Sequence, residues 1–137
     1  MSMPVTALYA ALLAPLFLIL SARVIGRRRE ARVALGAGED AELLRRMRVH
    51  ANFAEYTPFA LVCLALAESL ATPALVLHLA GSALLLGRYV HAFGVSQARE
   101  RIPLRVFGMV TSFAAISIAA AACLYGAAVN LPGSFAQ

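Results

Sequence analysis

Arg48, Asn52 and Glu55 are separated by four and three residues, so on a helix they share one face. Arg45 extends that face by one turn. They belong to the run Arg48-Val49-His50-Ala51-Asn52-Phe53-Ala54-Glu55-Tyr56-Thr57-Pro58, and the residues that follow, Phe59 to Ala67, are apolar and uncharged. A charged side chain near a bilayer centre costs about 2.5–3.5 kcal/mol on insertion scales. A chain that accepts this cost pairs the group internally or uses it. The structural alternative is an internal ion pair that joins helices. The chemical alternative is a small ligand, anionic but with a cationic group as well. Arginine forks bind carboxylates bidentately. Glu55 can then hold an ammonium or orient Arg48, and Asn52 can pair with an amide.

A second polar set follows. Gly81, Leu84, Arg88, His91 and Val95 recur at three-four spacing, which aligns Arg88 with His91. Taken alone, Arg88 reads as a snorkelling arginine and His91 as a satisfied interfacial histidine. The helix that carries Arg48 puts its own polar face at the same membrane side, and Arg101 and Arg105 flank the start of the last helix there. Together these residues make a cationic site with one carboxylate and one amide, half-buried at the cytoplasmic interface. His78 stands alone in mid-span and reads as structural.

Several chemistries are excluded. Glu55 is a lone carboxylate, so a two-carboxylate mechanism cannot operate. No hydrolytic triad or metal cluster is visible. Gly36-Ala37-Gly38-Glu39 lacks the pattern of a phosphate loop and reads as a turn. Cys63 and Cys123 lie in apolar runs without metal-ligand spacing and behave as small hydrophobes.

These groups need elements to position them. The chain has 137 residues, 61% hydrophobic, with a mean hydropathy of +0.78. That is too apolar for an ordinary soluble domain. All 12 basic residues are arginines, in two blocks at 23–48 and 88–105. Met1 to Ala22 and Val106 to Gln137 carry no charged side chain. Four spans emerge, at about 5–22, 40–67, 73–95 and 103–130. Pro15 marks a kink in the first. Asp40 reads as an N-cap with Glu42 in the first turn, Pro73 as a helix start, and Leu131-Pro132-Gly133 as a stop. The fold class is an all-α integral membrane protein, one four-transmembrane-helix bundle over 1–137.

The first apolar run lacks a positively charged leader, and its arginines follow it, as in a retained helix. Gly26 to Glu39 and Ser96 to Ile102 read as arginine-rich loops on one side, and Glu68 to Thr72 as a short turn on the other. The positive-inside rule then puts both loops in the cytoplasm and both termini in the periplasm. That rule, with attraction to anionic headgroups, accounts for the net charge of +5. Nucleic acid is excluded as a partner, because no soluble module presents a basic face. Ala115, Ala119, Ala122 and Gly126 line a small-residue face suited to close helix packing in lipid.

The motif Arg48-x-His50-x-Asn52-x-x-Glu55-Tyr56-x-Pro58, with Gly87-Arg88-x-x-His91 after the third span, resembles the MAPEG family. These are the membrane-associated proteins in eicosanoid and glutathione metabolism, and the likeness is to their small bacterial branch. It covers nearly the whole chain. The resemblance implies a homotrimer in the bacterial inner membrane, with glutathione bound between protomers at the cytoplasmic side. It implies glutathione contacts from Arg48, Asn52, Glu55, Tyr56, Arg88 and His91, completed by an arginine after the first helix, Arg23 or Arg27. The family's catalytic arginine matches Arg105 by its spacing from Pro103, with Arg101 as the alternative. Val95 and Val106 depart from the eicosanoid-making members, and both departures point away from eicosanoid synthesis.

The resulting expectation is a glutathione-dependent transferase or peroxidase that attacks an apolar electrophile from the bilayer through a thiolate. A thiol near pKa 8.5 is mostly protonated at neutral pH, and neighbouring cations lower that value. The alternative is a non-catalytic lipid- or glutathione-binding protein of the same fold. A small multidrug transporter is the third reading. Arg48 on the face of Glu55 and the one-sided loop charge weigh against it.

Overall fold

The computed structural model describes residues 2–134, with side chains through Leu131. Gln137, at the C-terminus that the sequence puts in the periplasm, lies outside the described residues. Among the described residues the chain forms four helices and no strand: α1 (Pro4–Ala31), α2 (Ala41–Ser69), α3 (Ala74–Ser96) and α4 (Ile102–Ser134). Helices α1, α3 and α4 are long and apolar enough to cross a membrane. Helix α2, at 29 residues, is as long as these but carries charged groups from Glu42 to Glu68.

Two boundaries differ from the sequence reading. Helix α1 does not end near Ala22. It continues through Arg27, Arg28 and Arg29, so the expected loop from Gly26 is largely helical. Arginine, glutamate and alanine are good helix formers, and arginines in a last turn complement the helix dipole. The stop comes at Arg32, whose left-handed backbone (φ 53°, ψ 35°) turns its N–H back to the carbonyls of Arg28 and Arg29. Helix α4 likewise runs through Leu131-Pro132-Gly133 to Ser134. Proline's fixed φ is itself helical, so it can sit in a helix at the loss of one hydrogen bond.

Asp40 caps α2 as its residue type requires. Its carboxylate accepts from the Leu43 N–H at 2.9 Å. Pro73 occupies the N-cap of α3.

Side-chain bonds tie the elements together at both ends. At the arginine end, Arg23 Nη1 donates to Ser96 Oγ at 2.8 Å and Arg45 Nη1 to the Gln97 carbonyl at 3.0 Å. Arg46 Nη1 donates to the Arg23 carbonyl at 3.1 Å. At the other end, Glu68 of α2 accepts from the Val5 and Thr6 N–H groups at 2.9 and 2.8 Å and from Thr6 Oγ1 at 2.7 Å. A carboxylate from one helix thus satisfies the free first-turn donors of another.

Helices α2 and α3 form the middle of the bundle. Helix α1 packs on both and makes no contact with α4, which packs on the opposite flank. Leu13, Leu16 and Leu20 of α1 meet Val49 and Phe53 of α2 and Leu84 of α3 in the larger apolar core. Ala115 and Ala119 of α4 are buried, and Gly126 abuts Leu70. This is the small-residue face in use. Both cysteines are free, and Cys123 Sγ donates to the Cys63 carbonyl at 3.0 Å.

Candidate functional site

Arg88 is the centre of the polar interior. It is 1% exposed, so the snorkelling reading is wrong: the guanidinium turns inward instead of toward an interface. Helices α2 and α4 supply its acceptors. Nε donates to Ser112 Oγ at 2.8 Å, Nη1 to Asn52 Oδ1 at 2.7 Å and Nη2 to the Gly108 carbonyl at 3.4 Å. Met109 Sδ lies 3.5 Å from Nη2. The Tyr56 ring stands 5.7 Å from the guanidinium carbon, close enough for a cation–π attraction. Among the described residues Arg88 has no carboxylate partner. Neutral acceptors and one aromatic face take the place of a counter-ion, which a buried charge ordinarily demands.

Close approach of α3 and α4 makes this geometry possible. A Cβ on Gly87 would meet Ser112 Oγ at 2.5 Å and Thr111 Oγ1 at 2.6 Å, and one on Gly108 would meet the His91 backbone nitrogen at 2.6 Å. Only glycine at both positions lets the helices cross so tightly. His91 is 5% exposed at that crossing and lies within electrostatic range of Arg88, Arg105 and Glu100.

Asn52 and Tyr56 therefore join Arg88 directly, and Tyr56 also meets Phe113 of α4, ring centroids 5.5 Å apart. Arg48 and Glu55 do not join them. Both are exposed on the outer face of α2, and neither has a hydrogen-bond or ion-pair partner among the described residues. The internal ion pair weighed from the sequence is absent. Arg48 and Glu55 sit in an exposed stripe with Leu44, Phe59, Val62 and Leu66.

The remaining candidates lie apart within one protomer. Arg23 bonds Ser96, and Arg27 pairs with Asp40 at 2.9 Å and Glu30 at 3.0 Å. Both are on α1, which does not touch α4. Arg105 pairs with Glu100 at 2.8 Å in an exposed bridge, and Arg101 stands 6.0 Å from the Phe93 ring. Arg45 pairs with Glu42 at 3.1 Å. His78 is not alone: its Nδ1 is 3.1 Å from the Tyr9 hydroxyl, which also lies 2.8 Å from Ser82 Oγ.

The sequence reading missed Ser112, Gly108 and Met109, which hold Arg88. The available signal was the pair Thr111-Ser112, a polar step four residues after a glycine on an otherwise apolar stretch of α4.

Fold and site together define a membrane-embedded helical bundle built around an arginine shared by three helices. The MAPEG family model matches residues 6–125, and the chain belongs to that family. It is 39% identical over 90 residues to the inner membrane protein YecN of Escherichia coli K12, an alignment covering 66% of this chain and 69% of that protein. YecN of Escherichia coli O6:H1 matches at the same identity and coverage.

Proposed function

We propose that the protein binds glutathione at the α2 face and acts as a glutathione-dependent membrane transferase or peroxidase on apolar electrophiles. The observation that carries this reading is the pair of unpartnered charges, Arg48 and Glu55, beside the Asn52–Tyr56–Arg88 network. Glutathione carries two carboxylates and one ammonium. Arg48 suits a carboxylate and Glu55 suits the ammonium. Bound glutathione would supply a thiol for attack on an apolar electrophile. The residues' share of the work is to hold the peptide, exclude water and favour the charged sulfur electrostatically. Membership of the MAPEG family supports the reading.

One protomer does not hold the full set. Arg23 and Arg27 on α1 are separated from α4 by the middle helices. A complete site then needs an α1 from a neighbouring copy, and the reading puts sites between protomers of a homotrimer. The exposed α2 stripe supports this. Leu44, Arg48, Glu55, Phe59, Val62 and Leu66 recur near the 3.5-residue period that one helix presents to another.

The test is glutathione binding to the detergent-purified protein. A charge-assisted hydrogen bond contributes roughly 1.5–3 kcal/mol. Arg48→Ala and Glu55→Ala should therefore weaken binding about 10- to 150-fold, with His78→Ala unchanged. No binding to wild type at millimolar glutathione would overturn the assignment.

A specific observation favours a non-catalytic reading. Arg105 is bridged to Glu100 and Arg101 lies 6.0 Å from the Phe93 ring, so either cation would exchange a contact it makes in this protomer for one with a thiolate. Ultraviolet absorbance of the bound thiolate against pH separates the two readings. In an enzyme, Arg105→Ala or Arg101→Ala raises the thiol pKa and cuts turnover with little change in glutathione affinity. Wild type that binds glutathione only as the thiol, without turnover, is a binding protein.

A further inference from the structure

Helix α1 has a charged feature that the glutathione reading leaves unused. At 28 residues and about 1.5 Å per residue it is about 42 Å long, more than the roughly 30 Å hydrocarbon core. Val5, capped by Glu68, marks one edge. About 20 residues further, near Val24, the core ends. The headgroup layer beyond it, about 5–7 Å thick, then falls on Ile25 to Arg29.

An open groove of about 360 Å³ lies at that depth, lined by Ile25, Arg28, Arg29, Arg32, Val33 and Ala34. Its lining holds three guanidiniums and no carboxylate. Arg28 is committed to the loop, donating to the Gly36 carbonyl at 2.8 Å and the Ala34 carbonyl at 3.4 Å. The guanidiniums of Arg29 and Arg32 are without a hydrogen-bond or ion-pair partner among the described residues. Arg27, one residue away, is neutralised by Glu30 and Asp40 and does not line the groove. Below the groove, Leu18, Ala22 and Ile25 are exposed at four- and three-residue spacing, so an apolar strip descends from the arginines into the core on the same face.

We propose that this groove is a binding site for an anionic phospholipid of the leaflet at the arginine end. The phosphate sits against Arg29 and Arg32, and one acyl chain follows Ile25, Ala22 and Leu18. Two unpaired guanidiniums match phosphate oxygens in charge and in fork geometry. Arg29 at the outer edge of the headgroup layer and Arg32 just beyond it, both continuous with an apolar strip that descends into the core, select a lipid over a free anion. The site is independent of glutathione, since it uses none of the α2 face.

The experiment is native mass spectrometry of protein from mixed micelles holding equal phosphatidylglycerol and phosphatidylcholine. Wild type should retain the anionic lipid preferentially. Arg29→Gln with Arg32→Gln should cut that preference by roughly tenfold or more, at about 1 kcal/mol for each arginine near an anionic surface. Arg99→Gln removes another exposed arginine, from the second loop, and should leave the preference intact. Equal loss in Arg99→Gln would show general surface charge and overturn the proposal, as would full retention in the double variant. Displacement of the lipid by millimolar inorganic phosphate would identify a free-anion site and also overturn it.

Discussion

Arg88 shows how a membrane protein can bury a cation without a counter-ion. Ser112, Asn52 and Gly108 each accept from a different nitrogen of the planar fork. Lysine offers one compact ammonium on a flexible stem and cannot span those positions. Arg88→Lys should thus lose at least one charge-assisted bond, at about 1.5–3 kcal/mol each. Thermal unfolding in detergent should show a clear fall in Tm. A lysine variant as stable as wild type would mean that the fork geometry contributes nothing. Arg48, by contrast, holds nothing within the protomer, so Arg48→Ala should leave Tm nearly unchanged while weakening glutathione binding. That split separates the residue that builds the site from the one offered to a ligand.

At the scale of elements, the helix ends are joined by carboxylates. Glu68 closes the start of α1 from across the bundle, so Glu68→Ala leaves the Val5 and Thr6 donors without their acceptor. The expected cost is about 1 kcal/mol, in the range of a lost cap, read as reduced Tm and faster amide hydrogen exchange at Val5 and Thr6. Asp40 does the same work for α2 at the arginine end. The Leu43 N–H, and then Arg27, hold its carboxyl below the usual carboxylate range. A depressed folded-state value means that the contribution is fully present above the ordinary aspartate range, and it fades as pH falls through the lowered one. Stability measured from pH 7 to pH 2 should therefore fall less steeply in Asp40→Asn than in wild type at the acid end. Parallel profiles would remove Asp40 from the account.

The whole molecule presents an exposed α2 stripe with two unpaired charges and an α1 that cannot reach its own α4. Under the proposed function both features are met by neighbouring copies. Native mass spectrometry in mild detergents should give a trimer, and monomers or dimers alone across several detergents would count against shared sites. The expected orientation rests on the two arginine-bearing loops, which the tertiary structure brings to one end of the bundle through Arg23–Ser96 and Arg45–Gln97. A reporter fused after Gln137 should be active in its periplasmic form. Activity only in the cytoplasmic form would reverse the topology.

Much of the protein was legible in its sequence because the bilayer constrains the chain locally. Apolar runs of spanning length, the confinement of arginine to two blocks, the Asp40 cap and the three-four spacing of Arg48, Asn52 and Glu55 are all short-range patterns. In lipid, backbone polar groups are satisfied only within a helix or a closed barrel, and apolar runs of this length fit the helix. The end of α1 was less legible, since an arginine-rich run reads as a polar loop although arginine is a good helix former. What only tertiary structure decided is which polar groups meet. Arg88 could have reached outward to an interface or inward to its neighbours, and spacing along α3 is the same for both. Gly87 and Gly108 settle the matter by letting α3 and α4 approach until Ser112 and the Gly108 carbonyl are within bonding distance. Asn52 is turned inward and Glu55 outward by the rotation of α2 within the bundle. That rotation is set by the packing of Val49 and Phe53 on α1 and α3, a long-range balance of buried area that no local pattern records.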